Sequence, residues 1–363
     1  MTNFYPMHGR SKMVKEGMRT RDGHVIEWSA HLLEPRTLNI YSRPEPRIIH
    51  RDPATSGAAL PSNLRFRDSP TWRLPVSFDR QRWWVTSANA YVPPSDPKAP
   101  TFAWNPLLPL SKQWSAIRTT SALVVDLLDD WTIHHAFHGV RSELEVGYSR
   151  LFERADHVFA NAEGTLALAH RFGRSDAHLL LNGCDPERFS ARSRAAGPLT
   201  VGYVGKIGRR VDLPLVLEAV RTLPHFRFVF VGPLLDGPLD SALMQAPNFE
   251  HRGDAHYRDV PAILEEFDLG WIPHQVGEGE VGGDVIKAYE YRAAGLPVLS
   301  TPIAGQRERA LPGVTVLDRV EHVDYLEGYS GLERIPREPF RIPRELTWRF
   351  KAQAMLRSAG LVE

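Results

Sequence analysis

Short apolar runs alternate with helix-forming segments along most of this 363-residue chain. Strands separated by helices of about ten to fifteen residues are typical of a doubly wound parallel sheet. The run at 122–128 is almost continuously apolar, as expected for a strand buried on both faces of such a sheet. The pattern restarts after a small, polar stretch at 190–198, which has the composition of a linker. The sequence therefore predicts an α/β fold with two Rossmann-like, doubly wound domains that face each other across a cleft.

The same pattern predicts the individual elements. Strands are expected at 3–7, 24–28, 83–87, 101–104, 122–128, 157–160, 178–181, 199–204, 226–231, 249–253, 269–272 and 298–301. Helices are expected at 12–21, 142–154, 162–172, 213–222, 260–267, 285–294 and 345–357. Residues 34–80 are rich in proline and arginine and are expected to form irregular loops and short edge strands.

Composition excludes several classes of protein. The formal net charge is +1, from 44 basic and 43 acidic residues, so neither a general polyanion binder nor a nucleic-acid partner is expected. The sequence holds one cysteine, Cys184, which excludes a disulfide framework and a multi-cysteine zinc site. It shows no signal-peptide pattern and no run of about 18 apolar residues. We therefore expect a soluble, cytoplasmic protein.

The turn that follows the predicted strand at 199–204 combines glycine with cationic residues. Gly205 and Lys206 are followed by Arg209 and Arg210. Glycine lets a backbone approach an anion closely, and lysine or arginine can neutralise a diphosphate. An ordinary strand–helix turn with basic residues in water would have the same composition, so the turn alone leaves both interpretations open.

A second glycine-rich segment precedes the predicted helix at 285–294. Gly282 and Gly283 lie before the helix, and Lys287 and Glu290 are three residues apart, so they share one face. A helix N-terminus behind paired glycines offers N–H groups to phosphate, and Glu290 could accept hydrogen bonds from ribose hydroxyls. The alternative is a surface Lys–Glu pair on an amphipathic helix.

Acidic residues and histidines follow the apolar strand at 122–128. Either Asp129 or Asp130 could act as a general base for an acceptor hydroxyl, could position the acceptor, or could cap the next helix. His134 and His135 are candidates for contact with the acceptor. His134 and His138 could together bind a metal if this segment were helical, but no third ligand stands at a zinc-protease spacing, so no metal site is expected. A packed thiol is expected at Cys184.

Taken together, these motifs resemble nucleotide-sugar glycosyltransferases of the GT-B fold, particularly glycosyltransferase family 4 and its bacterial teichuronic-acid and exopolysaccharide transferases. The resemblance is strongest over 149–305 and weak over 30–115. The matching pieces are Gly9, GHV at 23–25, VDLLDDW at 125–131, RADHV at 154–158, NGCD at 182–185, GYVG at 202–205, VGP at 231–233, KAYEY at 287–291 and AAGLPV at 293–298.

The resemblance implies a role for each candidate residue. An acceptor-binding domain would span 1–190, with a C-terminal helix at 343–363 packed back on it, and a donor-binding domain would span 198–340. Lys206 and Arg210 join Asp129 and Asp130 as catalytic candidates. The donor-binding candidates are Gly9, Arg10, Gly205, Arg209, His256, Tyr257, Gly282, Gly283, Asp284, Lys287 and Glu290. Among them, Glu290 would bind the ribose, and the turn at His256 and Tyr257 would contact the base through backbone groups.

One position departs from the family pattern. Many family members carry two glutamates eight positions apart, the second being the ribose ligand, but eight positions before Glu290 stands Gly282. Glu280 or Asp284 could supply the missing carboxylate, or the site could work without it.

The resemblance further implies the reaction and the partners. A nucleoside-diphosphate sugar would donate a sugar to a hydroxyl of a glycan, a lipid-linked acceptor or a small natural product, without a cofactor or a divalent metal. Retention is favoured, with the diphosphate taking the proton, whereas inversion would need Asp129 or Asp130 as base. The alternatives are a GT-B epimerase or hydrolase and a non-catalytic nucleotide-sugar-binding partner. The protein is expected to be a monomer or homodimer, with peripheral contact at the inner face of the membrane allowed.

Overall fold

Two sheets of parallel strands organise the chain. The structure is a computed structural model that describes residues 1–46, 60–72, 74, 80–117, 121–277, 282–303 and 305–363. The chain divides into two compact units. The first comprises Met1–Asn182, Val281–Asp284 and Trp348–Glu363, and the second comprises Gly183–Glu280 and Val285–Thr347. The chain leaves the first unit after Asn182, earlier than the predicted domain end at 190.

The first unit contains a seven-stranded parallel sheet. The strands of this unit are β1 (Thr2–Tyr5), β2 (Leu38–Ile40), β3 (Glu45–Pro46), β4 (Leu64–Phe66), β5 (Pro70–Thr71), β6 (Thr101–Ala103), β7 (Leu123–Leu127), β8 (His157–Ala160) and β9 (His178–Leu179). Their order in the sheet is β4-β2-β1-β6-β7-β8-β9, and β3 pairs with β5 separately. Strand β7 is buried along its whole length, as its apolar run predicts.

Helices cover this sheet. They are α1 (Arg10–Glu16), α2 (Arg21–Leu32), α3 (Arg80–Ser87), α4 (Arg141–Arg154), α5 (Glu163–Arg171) and the C-terminal helix (Trp348–Ser358), with 3-10 helices at Ala88–Ala90, Leu108–Leu110, Trp114–Ala116 and His135–Val140. Trp348 stacks on His24 with ring centroids 4.7 Å apart, and Met355 and Leu356 join the core of the first unit. The C-terminal helix therefore completes the hydrophobic core around α2.

Two predicted strands are wrong. Residues 24–28 belong to α2 and residues 83–87 belong to α3. The predicted helix at 12–21 stops at Glu16, because Gly17 ends α1 in the left-handed conformation (φ 75°), and α2 begins at Arg21. Gly23 does not end a helix: a β-carbon there would lie 2.8 Å from the carbonyl carbon of Met18, so a close backbone approach explains this glycine. The segment at 34–80, expected to be mainly irregular, supplies β2 inside the sheet and β4 at its edge.

The second unit contains a six-stranded parallel sheet. Its strands are β10 (Thr200–Val204), β11 (Arg227–Val231), β12 (Phe249–His251), β13 (Leu269–Ile272), β14 (Val298–Ser300) and β15 (Val314–Val316), in the order β12-β11-β10-β13-β14-β15. Its helices are α6 (Leu213–Thr222), α7 (Ser241–Met244), α8 (Val260–Leu264), α9 (Ile286–Ala293), α10 (Gln306–Arg309) and α11 (His322–Glu327), with 3-10 helices at Pro186–Arg188, Tyr257–Asp259, Arg319–Glu321 and Arg344–Leu346.

The alternation predicted for this unit is confirmed. The helix at 213–222 and the strand at 269–272 match exactly, while β15 was not predicted. The two parallel sheets with covering helices confirm the α/β, doubly wound fold class. Within the described part of the chain, no helix combines the length and the apolar character that crossing a membrane requires.

Candidate functional site

The topology of the second sheet marks one edge as a binding site. Strands β10 and β13 are neighbours, and the chain proceeds from β10 toward one side of the sheet and from β13 toward the other. Ligands of open α/β sheets bind outside the carboxyl ends of the strands at such a switch point. The turn Gly205–Arg210 follows β10, and His274 comes shortly after β13. The predicted cationic turn therefore lies at the switch point.

Two glycine turns pack backbone to backbone at this edge. Gly205 and Gly232 follow the neighbouring strands β10 and β11 and have φ angles of 154° and 148°. The Gly205 N–H donates to the carbonyl oxygen of Val231 (2.9 Å), and a β-carbon on Gly232 would overlap the carbonyl oxygen of Gly205. Only glycine fits both positions, which keeps the carboxyl ends of β10 and β11 free of side chains.

Lys287 lies over the first of these turns. Its ammonium nitrogen is 5.0 Å from the centre of the Tyr203 ring, and a β-carbon on Gly205 would lie 3.2 Å from that nitrogen. Lys287 is also the second residue of α9, whose N-terminal end carries the positive side of the helix dipole. Positive charge is therefore concentrated beside the backbone of the glycine turn.

The charges of Lys287 and Arg210 also act on His274. Tyr203 donates its hydroxyl hydrogen to the carbonyl of Lys206 (2.9 Å), so His274 Nε2, 3.2 Å away, is the donor to Tyr203 Oη. Burial, Lys287 and Arg210 together hold the pKa of His274 well below its ordinary value of 6.5. His274 is neutral, and Arg210 acts on it electrostatically alongside Lys287.

The remaining residues of the turn differ in exposure. Lys206 is half-buried, whereas Arg209 is exposed and donates its backbone N–H to the Asp236 carboxylate (2.7 Å). Three residues of this site are not predictable from the sequence, because residues of their types carry no local signal in a strand or a loop: Tyr203, His274 and Asp236.

Glu290 lies buried on α9 beside Tyr257. Burial is the main cause of the strongly raised pKa of Tyr257, followed by the charges of Glu290 and Asp185. The guanidinium of Arg188 lies 5.5 Å from the centre of the Tyr257 ring. Two predicted donor-binding residues, Glu290 and Tyr257, thus meet in one buried polar cluster.

Two further residues of the second unit were singled out from the sequence, one as a donor-binding candidate and one as a packed thiol. His256 caps the 3-10 helix Tyr257–Asp259, with its Nδ1 accepting the N–H of Arg258 (3.2 Å). Cys184 is fully buried, and burial raises its pKa, so the thiol stays protonated. The expectation of a packed thiol is confirmed.

In the first unit, Gly9 and Arg10 follow β1, which neighbours β6 at the switch point of that sheet. Arg10 pairs with Asp68 (2.7 Å), and its guanidinium lies 5.2 Å from the Phe66 ring. The Glu45 carboxylate accepts hydrogen bonds from the backbone and the hydroxyl of Ser11 (both 3.0 Å), and a β-carbon on Gly9 would overlap it. A carboxylate that sequence analysis missed therefore occupies the start of α1.

Asp129 and Asp130 follow β7 but have different surroundings. Asp130 is buried and accepts from the backbone (2.9 Å) and hydroxyl (2.6 Å) of Thr132, and it pairs with Arg171 (3.2 Å). The backbone oxygen of Asp129 accepts from the hydroxyl of Tyr148 (3.2 Å), while its carboxylate lies against Gly283. Asp130 thus holds the turn at Thr132, whereas the following 3-10 helix is capped by His134.

His134 and His135 extend an aromatic stack from Trp131. The centroid distances along this stack are 5.1 Å and 4.6 Å, and His134 Nδ1 accepts the N–H of Ala136 (3.1 Å). The segment His135–Val140 is a 3-10 helix, in which residues four apart do not share a face. The α-helical pairing that the His134–His138 metal alternative required is therefore absent.

The segment Gly282–Asp284 contacts three parts of the first unit. A β-carbon on Gly164 would lie 2.6 Å from the Gly282 Cα, and Gly283 lies against Asp129. Asp284 accepts the backbone N–H of Asn182 at Oδ2 (2.9 Å) and the Asn182 amide at its carbonyl (3.0 Å). Of the two carboxylates considered for the Gly282 departure, Asp284 has one oxygen engaged by Asn182, and Glu280 lies outside the described residues.

The family comparison matches a part of the second unit. Residues 198–324 match the family model described as glycosyl transferases group 1. A putative teichuronic acid biosynthesis glycosyltransferase from Bacillus subtilis (strain 168) is 24% identical over 232 residues, which is 58% of this chain and 58% of that relative. The aligned region thus spans little more than half of the relative's length.

Solved structures resemble the whole chain. Sucrose-phosphate synthase from Thermosynechococcus elongatus matches with a TM-score of 0.66 at 14% identity, over 99% of this chain and 96% of that one. Anabaena HepE, solved in complex with UDP and glucose, matches with a TM-score of 0.61 at 14% identity, over 100% of this chain and 95% of that one. At this level of identity the likeness is one of fold.

Proposed function

We propose that the chain is a glycosyltransferase that transfers a sugar from a nucleoside-diphosphate sugar to a hydroxyl acceptor. Its GT-B fold and the match of residues 198–324 to the model of glycosyl transferases group 1 support this proposal. The observation that carries this proposal is the cationic switch point of the second unit. Lys287 lies over the Gly205 turn, and Arg210 joins it in lowering the pKa of His274. A diphosphate matches this site because its negative charge complements the cations, and because the glycine turn lets the backbone come close to an anion.

The same cations would stabilise the leaving group. When the bond between the anomeric carbon and the phosphate oxygen breaks, negative charge develops on the nucleoside diphosphate. Lys287, Lys206, Arg210 and the N-terminal end of α9 would receive that charge, the role that a divalent metal has in other transferases. We therefore propose metal-independent transfer.

Glu290 would bind the ribose of the donor. Its carboxylate is buried beside Tyr257 and shares α9 with Lys287, three residues apart, so one helix would contact both diphosphate and ribose. Tyr257 packs beside this carboxylate, which supports a defined orientation toward a diol.

We propose retention of the anomeric configuration. The acceptor oxygen would attack on the face that the diphosphate leaves, and the hydroxyl proton would pass to the departing phosphate oxygen. The engagement of Asp130 by Thr132 and Arg171 supports a route that does not use that carboxylate as base. Proton NMR of the fresh product tests retention through the coupling constant of its anomeric proton.

A ligand panel and matched variants test the donor site. We propose UDP-sugars as donors, supported by the UDP and UDP-glucose complexes of HepE. Thermal shifts with UDP-, GDP- and dTDP-sugars should single out the bound nucleotide, because a ligand stabilises the state that it binds. Lys206→Ala and Glu290→Ala should each lower kcat/KM at least about tenfold while the fold is retained.

The exposed Arg221 provides the matched control. It is a cation in the last turn of α6, away from the switch point, so Arg221→Ala should keep kcat/KM close to that of the unmodified protein. Near-normal kinetics in both Lys206→Ala and Glu290→Ala, or no thermal response to any nucleotide sugar, would contradict the donor-site assignment.

A further inference from the structure

A buried ion pair lies at the carboxyl end of β7 in the first unit. Arg21 binds both carboxylate oxygens of Asp126, through Nε and Nη2, at 2.8 Å each. The Trp104 indole N–H donates to the same carboxylate (2.5 Å). Arg21 is 2% exposed and Asp126 is completely buried, so the geometry of this pair is held rigidly by its surroundings.

Arg21 uses its remaining guanidinium nitrogen to orient Asn182. Nη1 donates to Asn182 Oδ1 (3.0 Å) and to the carbonyl oxygen of Leu181 (3.1 Å). Because the amide oxygen faces Arg21, the Nδ2 group faces the other way. The ion pair thus determines where the amide donor of Asn182 points.

That donor holds Asp284. Asn182 Nδ2 donates to the Asp284 carbonyl (3.0 Å), and the backbone N–H of Asn182 donates to Asp284 Oδ2 (2.9 Å). Both the main chain and the side chain of Asp284 are therefore fixed by one residue that lies 102 positions away in sequence. Asp284 is the last residue of the Gly282–Asp284 turn and directly precedes Val285, the N-cap of α9.

We infer that Asn182 is a positioning residue that holds the Gly282–Asp284 turn in its donor-binding conformation, and that Arg21 and Asp126 set the orientation of Asn182. This inference rests on the proposed function, since it concerns the glycine turn assigned to the donor. In this inference the Asp284 carboxylate accepts the Asn182 N–H, and it does not take over the role of the glutamate that many family members carry eight positions before the ribose ligand.

Variants of both partners test the inference. Asn182→Ala removes the amide donor, and Asn182→Asp turns an oxygen toward the Asp284 carbonyl. Both should raise the donor KM and lower kcat/KM at least about tenfold, while the acceptor KM changes less than about twofold. Asp284→Asn preserves an oxygen that can accept the Asn182 N–H, so its kcat/KM should exceed that of Asp284→Ala at least about fivefold.

Hydrogen exchange gives a measurement that does not depend on turnover. Peptides containing Gly282–Val285 should exchange faster in Asn182→Ala and in Asp284→Ala, and less so in Asp284→Asn. Asn63→Ala is the matched control in the same unit: the buried Asn63 amide, like that of Asn182, donates to the backbone, here to two carbonyls at 2.9 and 3.0 Å, but at the amino end of β4. Asn63→Ala should lower Tm without changing exchange in these peptides.

The outcomes are distinguishable. Equal impairment of Asp284→Asn and Asp284→Ala would show a carboxylate acting directly on the donor and would overturn the inference. Unchanged exchange in Asn182→Ala would also overturn it, and if that variant does not fold, Asp284→Ala, in which a half-buried side chain is removed, decides the question. If the unmodified protein turns over no nucleotide sugar, the proposed function fails. The exchange measurements would still test whether Asn182 holds the Gly282–Asp284 turn.

Discussion

Gly232 approaches Gly205 so closely that a β-carbon on Gly232 would overlap the Gly205 carbonyl oxygen. We expect Gly232→Ala to lower the free energy of unfolding by about 2–4 kcal/mol, from a backbone clash added to a left-handed φ of 148°. The displaced Gly205 turn should also reduce the thermal shift caused by the donor. Chemical denaturation and the ligand panel measure the two effects.

Gly237→Ala separates the clash from the backbone strain. Gly237 also has a positive φ, of 106°, but nothing lies within 4 Å of a β-carbon built there. We expect a cost of about 1 kcal/mol from strain alone and an unchanged thermal shift with the donor. Equal costs for the two substitutions would show that the approach of Gly232 to Gly205 has no energetic consequence.

The Arg21–Asp126 pair should be essential for stability. Burial raises the pKa of Asp126, and Arg21 and Trp104 oppose that effect by binding the charged carboxylate. Arg21→Met leaves this carboxylate buried without its cation, which should cost about 3–5 kcal/mol of unfolding free energy. Denaturant titration measures the loss.

An exposed pair provides the comparison. Arg141 and Glu145 lie 3.0 Å apart on α4, with more than two-fifths of each side chain exposed (56% and 43%). Arg141→Ala should cost no more than about 0.5 kcal/mol, because solvent screens such a pair. If Arg21→Met were equally mild, the buried network that orients Asn182 would be too weak to position anything.

Asp129 should contribute less to the chemical step than a general base would. A positioned base contributes about 10²–10⁴-fold to the rate. Under the proposed retention the proton passes to the diphosphate, so Asp129→Asn should lower kcat less than about tenfold. A larger fall in kcat, together with an inverted product in the NMR assay, would identify Asp129 as the base of an inverting enzyme.

Sequence patterns predicted most of the second unit because the signals there are local. The helix at 213–222 and the strand at 269–272 each show their own periodicity or apolar run, and the sheet follows from their alternation. The same reasoning gave a wrong prediction for residues 24–28. His24, Val25 and Ile26 are consecutive buried residues, and such a run occurs both in a buried strand and in a helix that is packed on both sides. Packing against the C-terminal helix decides between them.

The candidate site was predictable only as far as its chemistry is local. Glycine followed by lysine and arginine after a strand identifies the 205–210 turn by composition. The partners that orient the site come from distant positions: His274 meets Tyr203 across 71 residues, and Asn182 meets Asp284 across 102. No spacing rule connects such pairs, because the fold alone brings them together.

His274 should make stability sensitive to acid. In the folded protein its pKa lies well below 6.5, because burial, Lys287 and Arg210 all disfavour the imidazolium. In the unfolded chain the pKa returns to about 6.5, so below that pH the unfolded state binds more protons and stability falls as the pH falls. The contribution is complete above the unfolded value and declines by up to about 1.4 kcal/mol per pH unit below it.

His274→Gln should remove this dependence while keeping an N–H donor for Tyr203 Oη. Denaturation midpoints between about pH 7.5 and pH 5.5 should then fall less steeply than in the unmodified protein. His170→Gln, which replaces an exposed histidine on α5, is the matched control for the loss of a histidine. A slope unchanged in His274→Gln would mean that folding does not lower the pKa of His274, and the positive field at the switch point would then be weaker than its contacts indicate.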